Sequence, residues 1–76
     1  MARKASEVRV GQLYREVGTS FLGSPMPLWT VEAIFTSTDS LIYVRLMNVV
    51  DSSLRKTLST KVLTDRQRYV LEAAER

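Results

Sequence analysis

Leu28-Trp29-Thr30-Val31-Glu32-Ala33-Ile34-Phe35-Thr36 is the stretch that decides the fold. In an extended chain, Trp29, Val31, Ala33 and Phe35 fall on one side, and Thr30, Glu32 and Thr36 on the other. Such period-two alternation predicts a half-buried strand. Ile34 is out of step and leaves two accounts open. Either the alternation simply lapses there, or a bulge at Glu32-Ala33 moves Ile34 to the inner face.

Working outward, Thr36-Ser37-Thr38-Asp39-Ser40 is a run of small polar residues that marks a hairpin loop. The next strand is expected from Leu41 to about Val49. Ile42, Val44 and Leu46 point one way, and Tyr43, Arg45 and Met47 the other. Asp51-Ser52-Ser53 is the following turn, and Leu54 to Ser59 a further strand. On the N-terminal side, Gly18 to Pro27 contains Pro25 and Pro27, which exclude a helix and a regular ladder. This loop carries Phe21, Leu22 and Met26, which either fold back over the core or offer an apolar contact surface. Before it, Val8-Arg9-Val10-Gly11 and Gln12 to Val17 read as two short extended pieces. In the second, Leu13, Arg15 and Val17 lie opposite Tyr14.

The C-terminal stretch supports two readings. Thr64 with Gln67 matches a capping box, and helix formers follow, so a helix over 65–75 is one. The other is a tight turn at Lys61 to Asp65 that buries Val62 or Leu63, then a short strand over Gln67 to Leu71. The second is favoured, because short isolated helices are marginal and the upstream meander needs a closing strand.

The expected class is all-β, with five strands and a short helical turn or short C-terminal helix. The order is strand, irregular loop, three meandering strands, tight turn, last strand. It resembles the SH3-like barrel on Gly11-Gln12-Leu13-Tyr14, Trp29-Thr30-Val31, Ile42-Tyr43-Val44-Arg45-Leu46, Leu58, and Leu63-Thr64-Asp65 to Tyr69. The acidic and aromatic surface pattern of proline-binding SH3 domains is absent, as is the Gly-rich motif of ribosome-associated relatives. The resemblance therefore implies a fold and leaves function to the site. Its boundaries predict a tail over 1–7, a single domain over 8–72 and a frayed end over 73–76.

Composition excludes several chemistries. The chain of 76 residues has no Cys and no His. Disulfides, thiolate nucleophiles, zinc–sulfur sites and imidazole bases are therefore ruled out. The three Asp residues sit in turns and the five Glu residues are scattered. We expect no enzyme, no metal and no cofactor. The longest apolar run, Leu41 to Val44, is far short of the ~20 residues of a membrane-spanning helix. The basic start, Met1-Ala2-Arg3-Lys4, is followed by no apolar stretch and does not read as a signal peptide. A cytoplasmic protein of bacterial character is expected.

The expected function is a binding module. Residues 1–44 carry four charges of each sign, whereas residues 45–68 carry six positive and two negative. Arg45, Arg55, Lys56, Lys61, Arg66 and Arg68 could form a stripe along a nucleic-acid backbone, with Tyr43 as a stacking surface. The same cations read equally as solubilising residues of exposed strands. An acidic protein partner would meet the same cations, whereas the alternative site, for an apolar protein partner or a second copy, combines Phe21, Met26 and Trp29 with an exposed sheet edge. Trp29 is also a natural core residue. Tyr14 and Tyr69 read as rim residues with the hydroxyl toward water.

Overall fold

The computed structural model describes residues 8–18 and 26–73. Five strands and one helical turn follow one another: β1 (Leu13–Glu16), β2 (Leu28–Thr36), β3 (Ile42–Asn48), β4 (Arg55–Ser59), α1 (Thr60–Leu63) and β5 (Tyr69–Ala73). They form one antiparallel sheet in the order β4-β3-β2-β1-β5. Among the described residues no pairing joins β4 to β5. The sheet is open at those two edges and does not close into a hydrogen-bonded barrel.

The β2–β3 register resolves Ile34. A bulge falls between Val31 and Ala33, so Val31 lies opposite Leu46, Ile34 opposite Val44, and Ala33 opposite Arg45. Directly opposed residues share a face. Ile34 therefore joins Val44 on the inner face, while Ala33 and Phe35 turn outward. Simple alternation, which put Ala33 and Phe35 with Val31, is overturned by this one extra residue.

The inner face holds the core: Tyr14, Trp29, Val31, Val44, Leu46, Leu63 and Tyr69, with Val8, Leu58, Val62 and Leu71 packed against it. Leu63 is the plug. Ser59 caps α1, its hydroxyl accepting from the Val62 N–H, and the single turn drops Leu63 to 0% exposure. Thr64 is the C-terminal cap of that turn, its hydroxyl donating to the Thr60 carbonyl. Asp65 then holds a further turn by accepting from the Gln67 N–H, and β5 follows. A helix over 65–75 is therefore excluded, and the tight turn followed by a strand is what forms.

Three other expectations change. Val8 to Gly11 is not a strand; a turn at Val10-Gly11 replaces it, with Gly11 at φ +97°, a conformation costly for any side chain. Tyr14 and Tyr69 are core residues at 5% and 8% exposure, not rim residues. The Tyr14 hydroxyl donates to Oε1 of the buried Gln12, which also accepts from the Arg9 N–H. Asn48, at the end of β3, shapes the next turn by accepting from the Val50 and Asp51 amides at 2.9 Å each.

Candidate functional site

Two clusters of charge and aromatic rings lie on opposite faces of the sheet. The inner one forms because Leu46 pairs with Lys56 and Val44 with Leu58. Strand alternation thus turns Lys56 inward with Leu58. Its Nζ sits 4.3 Å from the Trp29 ring centroid and 5.0 Å from that of Tyr69. It donates to Glu16 Oε1 at 2.7 Å, and the Trp29 indole N–H donates to the same oxygen at 2.8 Å. Partial burial pushes the ammonium pKa down, but Glu16 and Tyr69 outweigh that and hold it above the usual lysine value. Lys56 on one edge strand thereby reaches Glu16 on β1 and Tyr69 on the other edge strand. A side chain spans the gap that no ladder closes.

The outer cluster forms around the bulge. With Val31 and Ile34 both inward, Glu32 and Ala33 together oppose Arg45. Glu32 Oε1 accepts from Arg45 Nε at 2.9 Å and from Arg55 Nε at 3.1 Å. Partial desolvation raises the Glu32 pKa, but the hydrogen bonds from Arg55 and Arg45 win and hold it below the usual carboxylate range. Arg55 also lays a terminal nitrogen against Met47 Sδ. Otherwise the terminal nitrogens of both arginines have no hydrogen-bond partner among the described residues.

Beside the arginines on the same face, Phe35 and Tyr43 are cross-strand partners. Their ring centroids are 6.1 Å apart and their planes 28° from parallel. Phe35 is 43% exposed. The Tyr43 hydroxyl reaches Asp39 Oδ2, and Asp39 holds the hairpin turn by accepting from Ser37 Oγ and the Leu41 N–H. Those bonds, the Ser37 hydroxyl first, hold the Asp39 pKa below its usual value.

The six basic residues of the expected stripe therefore do not share one surface. Arg45 and Arg55 lie together on the outer face with Tyr43. Lys56 points the other way into the aromatic cluster. Lys61 is exposed on α1, two residues after Ser59, the cross-strand partner of Tyr43. Arg66 and Arg68 lie in the turn before β5, where Arg68 pairs with Asp65 at 3.6 Å. Of the alternative protein site, Trp29 is core at 7% exposure and Met26 is half-buried beside Gly18. Phe21 lies outside the described residues. Glu32, Phe35 and Glu16 carry the two clusters and were not singled out by sequence reading. Plain alternation already turned Glu32 outward, and the bulge account of Ile34 was the signal for Phe35, which it moves to the same face.

Among the described residues no group of three or more Asp or Glu side chains could hold a metal ion, and no helix is long and apolar enough to cross a membrane. No protein-family profile, curated protein or solved structure matches the chain.

Proposed function

We propose that the protein is a non-catalytic binding module for single-stranded nucleic acid, with the outer face of β2, β3 and β4 as its surface. One observation carries this reading. A stacked pair, Phe35–Tyr43, lies on the same sheet face as two half-exposed arginines that Glu32 engages through Nε. Bases stack on aromatic faces whatever their sequence, and arginines meet the phosphates between them. Residues two apart on a strand are ~7 Å apart, so Tyr43 and Arg45 are spaced for a base and a neighbouring phosphate.

The scaffold for this surface is best read as an SH3-like barrel left open between β4 and β5. The meander β2-β3-β4, the tight turn at α1 and the return of β5 beside β1 support that reading.

The test is fluorescence anisotropy with a labelled single-stranded oligonucleotide at two salt concentrations. Binding is expected at low salt and should weaken as salt rises. Tyr43→Ala should weaken it by ~5- to 100-fold, the worth of one stacked base. A duplex of the same sequence should bind less well, because its bases are already stacked. Absence of binding at low salt would overturn the proposal. It would favour a second reading, contact with an apolar protein surface, which the exposure of Ile34, Leu41 and Ile42 at the hairpin end supports.

A further inference from the structure

We infer that Glu32 is a positioning residue that holds Arg45 and Arg55 as a two-guanidinium grip for one backbone phosphate. This deepens the nucleic-acid reading and rests on it.

The geometry is specific. Both arginines approach Glu32 Oε1 through Nε, at 2.9 and 3.1 Å, so the two Nε atoms lie within about 6 Å of each other. Two like charges that close repel unless a carboxylate sits between them. Engagement through Nε leaves both terminal nitrogens of Arg45 and one of Arg55 without a partner among the described residues, the other nitrogen of Arg55 resting on Met47 Sδ. Those are the donors that meet two oxygens of a phosphate at once. Glu32 is itself only partly accessible, with 27% of its side chain exposed, against 49% for Arg45 and 46% for Arg55. The carboxylate forms the floor and the guanidinium forks form the rim.

Glu32 follows Val31, the partner of Leu46, and so faces outward with Arg45; the bulge adds Ala33 to that face, so that two residues of β2 oppose the one arginine. Ordering two long side chains in advance removes an entropy cost that binding would otherwise carry.

This gives a counterintuitive expectation. If Glu32 only neutralised the face, removing its charge would tighten anion binding, and keeping the charge on a shorter stem would change nothing. If it positions the arginines, Glu32→Gln and Glu32→Asp both weaken binding, by about tenfold. The experiment is oligonucleotide anisotropy at fixed low salt on these two variants, each checked for an intact sheet by circular dichroism. Alongside it, the Nε–H resonances of Arg45 and Arg55 should be sharp and dispersed in the wild type and averaged in the variants. An independent variant, Arg45→Lys, keeps the charge but lacks Nε. It should weaken binding comparably, and combining it with Glu32→Gln should add little further loss.

Wild-type protein that binds no oligonucleotide would overturn the nucleic-acid reading itself. Wild-type binding with Glu32→Gln equal or tighter, or with Glu32→Asp unchanged, would overturn the positioning role alone.

Discussion

Arg55 and Lys56 are neighbours in sequence, yet they serve opposite faces of the sheet, and the two faces use the same ingredients differently. On each, a glutamate from another strand accepts two hydrogen bonds on one oxygen. On the inner face Glu16 joins Lys56 to the Trp29 indole, and the ammonium is enclosed by rings. On the outer face Glu32 joins two guanidinium groups under open solvent. The inner cluster ties edge strand β4 to β1 and β5 across an unpaired gap. The outer cluster joins β2 to β3 and, across β3, to β4, three strands that continuous ladders already hold side by side. The inner cation is therefore expected to act on stability and the outer pair on binding.

Stability offers the largest expected contrast. Lys56→Met removes a cation–π contact and an ion pair at a site only 32% exposed, and leaves Glu16 with the indole alone. Thermal unfolding should show a loss of about 1–2 kcal/mol. Arg55→Met, on a face where ion pairs are screened, should stay within ~0.5 kcal/mol of wild type. Equal losses in the two variants would erase the distinction between the faces.

The pH dependence sharpens the same comparison with a smaller effect. The Lys56 pKa is raised in the folded state, so its contribution is fully present below the unfolded lysine value of 10.5. It is lost as pH climbs through the higher folded value. The stability gap between wild type and Lys56→Met should therefore be flat from neutrality to about pH 10 and shrink above that. The Glu32 pKa is lowered, which reverses the sign. Its contribution is present above the unfolded value of 4.5 and disappears as pH falls through the folded one. Because Glu32 lies near solvent, its acid-side change should be the slighter of the two in urea titrations of wild type against Glu32→Gln.

Much of this fold is visible in the chain before any coordinates. Alternation over Leu28 to Thr36 and Leu41 to Val49, with the polar run between them, is local, and local pattern fixes both strands and their turn. The final strand was expected as the one that closes the meander; it forms, but beside β1, with the β4 edge left open. Two features depend on partners far away in sequence and resist that reading. Lys56 looks like an exposed cation because the carboxylate that receives it is Glu16, on a strand at the opposite end of the chain. Its inward direction was nonetheless implied by Leu58, two residues on. Tyr14 and Tyr69 are buried for a similar reason, since β1 and β5 meet only in the folded sheet. The Phe35 side of the outer site depended on one bulge, and a single inserted residue reverses every side chain beyond it.

The most direct test of this division is one oligonucleotide titration of Arg55→Met beside Lys56→Met, run cold enough that both are folded. Arg55→Met should lose most of its affinity, and Lys56→Met should bind as the wild type does. Lost binding in folded Lys56→Met with retained binding in Arg55→Met would contradict the assignment of the two faces.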